Sequence, residues 1–129
     1  MKVALGVEYD GTHFCGWQVQ PQQRTVQGCL GDALASISDH TSKIVAAGRT
    51  DSGVHALQQV AHFETSAERS ERNWILGLNS NLPDDMNVTW ARPVDDDFSA
   101  RFSALNRSYR YIILNRVSRS AIHANKMWW

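Results

Sequence analysis

The sequence predicts one α+β domain of ferredoxin-like, RRM-like kind. The expected architecture is a β-α-β-β-α-β sandwich with an extra strand, its sheet rich in antiparallel pairs. Both helices are expected on one face of the sheet, with the other face available. Strand-like runs occur five times, helical spacing of apolar residues occurs twice, and the two alternate in the order that this fold requires. With 129 residues the chain is one domain by length and large enough to bury a real core.

Val3, Leu5, Val7 and Tyr9 alternate with Lys2, Ala4, Gly6 and Glu8, the period of a half-buried strand, and Asp10-Gly11-Thr12 ends it in a turn. Residues 10–24 form a polar loop holding several glutamines, Arg24, and two aromatics, Phe14 and Trp17, of the kind that plug a core edge. Val26, Leu30, Ala33, Leu34 and Ile37 fall at helical spacing behind Thr25 as N-cap. Gly28 and Gly31 weaken this helix by about 1 kcal/mol each relative to alanine. Ile44–Ala47 is a short second strand and Leu57–Thr65 a third. Ser70 caps a second helix running to about Asn79, with Trp74, Ile75 and Leu78 facing inward, and Asn81-Leu82-Pro83-Asp84-Asp85 breaks it. Met86, Val88 and Trp90 alternate as a fourth strand that Pro93 stops. Beyond an irregular Phe98–Ala104, Arg107–Asn115 is the extra strand, with Tyr109, Tyr111 and Ile113 on one face.

Hydrophobic residues make up 43% of the chain and charged ones 20%, an ordinary balance for a folded domain that argues against disorder. A formal net charge of zero does not announce a nucleic-acid binder, but the distribution is uneven. Residues 101–129 carry Arg101, Arg107, Arg110, Arg116, Arg119 and Lys126 without one acid, among Tyr109, Tyr111, Trp128 and Trp129. Such interleaving suits a surface that tracks phosphates and stacks bases; a solvated face that evens out on folding is the plainer alternative. Cys15 and Cys29 have no CxxC spacing and are too few for a disulfide scaffold, so both are expected reduced, in a cytoplasmic protein. No run of about 18 apolar residues suggests a membrane span, and Met1-Lys2 leads directly into strand alternation rather than a secretory signal.

The stretch with most chemistry is Ala46-Ala47-Gly48-Arg49-Thr50-Asp51-Ser52-Gly53-Val54-His55-Ala56, a glycine-bracketed loop between the second and third strands. Gly48 and Gly53 allow tight or positive-φ backbone. If Arg49 and Asp51 are locally extended they point to the same side, where the guanidinium can hold the carboxylate ionised and aimed. Such an aspartate can serve as nucleophile or base, and the same pair can equally close a turn.

Ala47-Gly48-Arg49-Thr50-Asp51-Ser52-Gly53-Val54-His55-Ala56 resembles the signature of the tRNA pseudouridine synthase A (TruA) family. Further blocks resemble that family's in the right order. They are Glu8-Tyr9-Asp10-Gly11-Thr12 with Gly16-Trp17-Gln18, Asn79 with Asn81-Leu82-Pro83, Phe98–Ala104, and Arg107-Ser108-Tyr109-Arg110-Tyr111. The resemblance covers nearly the whole chain and implies an isomerase acting on tRNA, converting uridine to pseudouridine at positions 38, 39 and 40 of the anticodon arm. It makes Asp51 the catalytic nucleophile, Arg49 its partner and the occupant of the flipped base's place, and Tyr109 the residue that packs on the target uracil. The implied reaction breaks the C1′–N1 bond, turns the uracil and rejoins it through C5, with no redox change and no group donor, so no cofactor is expected. The carboxylate can attack ribose C1′ or uracil C6, or take a proton from C2′; an unperturbed aspartate, with pKa about 3.9, is ionised for any of these at neutral pH. Unstacking the uracil costs a few kcal/mol, which stacking on Tyr109 partly offsets. Two departures are Ser52, where alanine is common, and Cys15, where an aromatic is often found. Family members continue for about as long again, so residues 1–129 are read as the N-terminal half. By itself this half is expected to turn over little or nothing, and the full-length protein to be a cytoplasmic homodimer.

Three other readings fit less well. Asp51-Ser52-Gly53 matches the triplet of aspartic proteases, but the preceding Arg49-Thr50 favours a lone ionised acid over a proton-sharing dyad. Asp51, His55 and His62 match no recognised metal-ligand spacing, so no metal is expected. A non-catalytic RNA-binding module shares the predicted fold, yet Tyr109 and Tyr111 lack the glycine-aromatic setting of RNA-recognition motifs, and binding alone does not call for Arg-Thr-Asp.

Overall fold

A computed structural model describes residues 1–38 and 42–129. The strands are β1 (Lys2–Tyr9), β2 (Val45–Ala46), β3 (Ala56–Glu64) and β4 (Met86–Val94), and the helices α1 (Val26–Ser38) and α2 (Glu71–Ser80). They form one sheet of order β2-β3-β1-β4, every neighbouring pair antiparallel. This is the split β-α-β-β-α-β arrangement that the sequence predicts, with β1 at the centre against both β3 and β4. No helix among the described residues is long and apolar enough to cross a membrane.

Val3, Leu5, Val7 and Tyr9 sit in one core with Val26, Leu30, Ala33 and Leu34 of α1, Trp74 and Leu78 of α2, Phe63, Met86 and Val88. Phe14 and Trp17 join it from the first loop and close its edge, as their type and place suggested. Both helices start on the expected caps: Gly28 N donates to Thr25 Oγ1 (3.1 Å) and Asn73 N to Ser70 Oγ (3.1 Å), each satisfying a first-turn donor. Asn79 locks the end of α2 to β4, accepting from Val88 N (2.7 Å) and donating to Val88 O (3.0 Å).

Three expectations need correction. The strand β4 does not stop at Pro93 but runs to Val94, because β4 is a sheet edge and a missing N–H there breaks no ladder. The sheet's second face is not left open. Residues 95–104 cross it, with Lys2 Nζ donating to Asp96 O (2.7 Å) and Phe98 O (2.6 Å), and Ala100 N donating to His62 Nδ1 (2.9 Å). Most directly, Arg107–Asn115 is not a strand. Only Ile113 forms a bridge, parallel to Trp128, and Tyr109, Tyr111 and Ile113 remain 64%, 80% and 73% exposed. Alternation predicts a strand where a face can be buried; this segment finds neither a sheet edge nor a face to cover.

His62 is buried beneath Ala100 and Phe98. Burial pushes its imidazole below the ordinary value, and the Lys2 ammonium pushes the same way. The unfolded chain therefore binds more protons than the folded one once the pH drops below about 6.5. The contribution of neutral His62 is complete above that value and is lost as the pH falls toward the folded-state pKa. Thermal midpoints recorded between about pH 5 and 7 are expected to fall on the acid side, and His62→Gln to flatten the slope.

Candidate active site

The loop from Gly48 to His55 is held from below by the first loop, largely backbone against backbone. Trp17 N donates to Thr50 O (3.0 Å), Gly53 N to Phe14 O (3.3 Å), and Gly11 N to His55 Nδ1 (2.9 Å). Glycine is what allows this approach. A Cβ at Gly11 would lie 2.0 Å from Val54 O, and one at Gly16, whose φ is +77°, would lie 2.6 Å from Thr50 O. Gly53 takes a positive φ, as expected; Gly48 does not, and is instead the point where the Arg107 and Tyr109 side chains come close.

Above these ties a cleft of about 530 Å³ opens, lined by Cys15, Gln18, Gln20, Arg49, Thr50, Asp51 and Ser52. Asp51 is exposed and its carbonyl accepts from Val54 N (3.1 Å), a turn that leaves the carboxylate to the solvent side. Arg49 lines the same cleft, but among the described residues no ion pair joins it to Asp51. The expected Arg–Asp clamp is therefore not formed: two exposed side chains in an open cleft gain little from pairing in water. The Tyr109 hydroxyl lies 3.5 Å from where a Cβ on Gly48 would be, at the start of the loop rather than in the cleft lining. The structure thus gathers Asp51 and Arg49 in one cleft and brings Tyr109 to its border.

The basic segment is fastened beside both ends of this loop, at Ala47 and at His55, and to Asp10 of the first loop. Arg107 Nε donates to Ala47 O (2.6 Å), and Lys126 Nζ reaches Asp10 Oδ2 (3.0 Å). Hydrogen bonds from Thr12, and then Lys126, hold the Asp10 carboxyl well below the usual range. His55 receives a backbone proton at Nδ1, so Nε2 carries the ring hydrogen and donates to Asn125 O. In that tautomer the 3.2 Å approach of Nδ1 to Asp10 Oδ1 is not an ion pair. Arg24 is spent internally, bidentate to Asp85 (2.8 and 2.9 Å) and 4.0 Å over the Phe14 ring. It fixes the first loop rather than offering a charge to a phosphate. Among the described residues no three His, Cys, Asp or Glu side chains gather as a metal cluster, and His62 and His55 each have other partners.

Residues 6–103 match the family model described as tRNA pseudouridine synthase. The chain belongs to that family. It is 52% identical over 127 residues to the tRNA pseudouridine synthase A of Hydrogenovibrio crunogenus, covering 98% of this chain and 48% of that one. To the synthase of Alcanivorax borkumensis it is 50% identical over 129 residues (99% and 48%), and to that of Photorhabdus laumondii 52% over 125 (97% and 47%). The chain thus spans about half the length of the curated relatives that it matches. Within this synthase-family chain, sequence reading missed Gln18, Gln20 and Thr50 as cleft residues and Gln59 as a support, its Nε2 donating to Gly48 O (2.6 Å). The available signal was the pair of glycines in the first loop, which foretells close backbone contact without naming its target.

Gly16→Ala places a Cβ in a left-handed residue against a backbone oxygen. It is expected to destabilise the fold by about 1–3 kcal/mol, read by urea unfolding, while the exposed Gly53 site, with nothing near its Cβ direction, pays only for its φ.

Proposed function

We propose that this chain supplies the aspartate-bearing half of a tRNA pseudouridine synthase, converting uridine to pseudouridine at positions 38, 39 and 40 of the anticodon arm. Asp51 is the nucleophile. The carboxylate attacks C1′ or C6, or removes the C2′ proton; the freed uracil turns and rejoins the ribose through C5, which gives up its hydrogen. Tyr109 stacks on the target uracil, and Arg49 fills the space that the flipped base leaves. The full-length protein works in the cytoplasm as a homodimer on tRNA, without metal or cofactor. The observation that carries this reading is the Arg49-Thr50-Asp51 run lining one open cleft in a chain of this family. The acid-free Arg101–Trp129 stretch tied to the loop supports an RNA partner. Tyr109 and Tyr111 stand outside the sheet, which weighs against a stacking platform of the RNA-recognition-motif kind.

Tritium release from tRNA labelled at uridine C5 tests this, because rejoining through C5 must expel that hydrogen. The chain is assayed alone, followed by the second half of the Hydrogenovibrio crunogenus relative, and in that longer form with Asp51→Ala. Release is expected only from the longer, Asp51-intact protein. Binding without release there would leave an RNA-binding module. In the same longer protein Tyr109→Ala is expected to lower kcat/KM by about 5- to 150-fold, the worth of one stacked base at ~1–3 kcal/mol.

A further inference from the structure

Tyr9 lies at the end of the central strand, 3% exposed, with its ring 6.3 Å from Phe14 edge-on and 6.3 Å from Trp17. A phenylalanine would fill that space equally well, so the hydroxyl calls for its own explanation. It meets Thr50 Oγ1 at 2.8 Å, 41 residues along the chain. Thr50 O is simultaneously held by Trp17 N (3.0 Å). Both the side chain and the carbonyl of the residue between Arg49 and Asp51 are thereby fixed, from two directions and by parts of the core. The pairing of β1 with β3 shifts register between Val7 and Tyr9: Val7 faces Gln59 and Tyr9 faces Ala56. The strand β3 therefore spends an extra residue opposite Glu8, so it bends just where it leaves the loop, while Tyr9 keeps to the core face that Val3, Leu5 and Val7 share.

We infer that Tyr9 is a positioning residue for the catalytic loop, referencing Asp51 to the rigid sheet through its hydrogen bond to Thr50. The inference rests on the synthase reading above. The phenol is suited to the role. Burial raises its pKa above the ordinary tyrosine value despite the bond to Thr50, so it keeps its proton throughout the neutral range. Its ring is locked between two buried aromatics, so the hydroxyl has one place to be. In the other direction, the residues at the tip of the loop, Arg49, Asp51, Ser52 and Gly53, are all exposed, so Thr50 is the residue beside Asp51 through which a side chain of the core can hold it to the fraction of an ångström that catalysis tolerates.

In the longer protein, Tyr9→Phe is expected to lower kcat roughly 10- to 100-fold with KM for tRNA changed less than about two-fold, the mark of lost positioning rather than lost binding. Thr50→Val should reproduce that loss, and the double variant should be no slower than the slower single, since both remove one bond. In the 129-residue chain, Tyr9→Phe should raise hydrogen exchange at the Trp17 amide about ten-fold relative to the core amides of β1, as the loop comes loose. A kcat for Tyr9→Phe within two-fold of the parent, or losses that multiply in the double variant, overturn the inference while an inactive Asp51→Ala leaves the synthase reading standing. A parent without tritium release sinks the synthase reading instead, and unchanged exchange at Trp17 then still overturns the tie.

Discussion

The hydrogen bond from Trp17 N to Thr50 O, and the glycine-lined contact around it, is the constraint from which the site follows. Two loops far apart in sequence meet largely through their backbones, at Trp17 N–Thr50 O and Gly53 N–Phe14 O. Backbone atoms are the least adjustable part of a protein, so these contacts fix the relative position of the two loops more tightly than side-chain contacts would. Side chains at the contact would add rotamers and slack. Gly11 and Gly16 are required where a Cβ would collide with Val54 O and Thr50 O, and Gly16 also adopts a φ that other residues resist.

The rest of the domain holds that contact still. The first loop is pinned at both ends: Tyr9 and Asp10 belong to or follow the central strand, Phe14 and Trp17 are in the core, and Arg24 clamps Asp85 beside β4. The loop carrying Asp51 is pinned by β2 and β3 and by Gln59 reaching Gly48. Rigidity below and exposure above go together here. The first-loop and β3 groups that fix the loop approach from the core side, which leaves Arg49 and Asp51 exposed in an open cleft. The absence of an Arg49–Asp51 ion pair is part of the same arrangement: both side chains stand exposed in the cleft.

The basic segment beyond residue 104 behaves differently. It has little regular structure, exposes many large apolar side chains, and touches the domain mainly through Arg107, Asn125 and Lys126. Its contacts fall beside the two ends of the Gly48–His55 loop and on Asp10 of the first loop. Positive charge is thereby delivered beside the cleft by a part of the chain that contributes almost nothing to the core.

Local periodicity alone determined most of the fold. Alternation in Lys2–Tyr9 and the apolar spacing of the two helices carry their burial pattern directly, and Thr25 and Ser70 announce their helix starts because a cap needs only its neighbours. The ten-residue run around Asp51 likewise pointed to the loop that forms the cleft, and the family match over residues 6–103 agrees with that resemblance. What sequence could not determine is everything that depends on a distant partner. Whether Pro93 ends a strand turns on β4 being an edge; whether Arg107–Asn115 pairs turns on an available edge; whether Arg49 binds Asp51 or Arg24 binds Asp85 turns on which oxygen the fold delivers. Tyr9 is the sharpest case. Alternation marks it as a core aromatic, and only the tertiary structure, by bringing Thr50 within 2.8 Å of its hydroxyl, gives that atom a purpose.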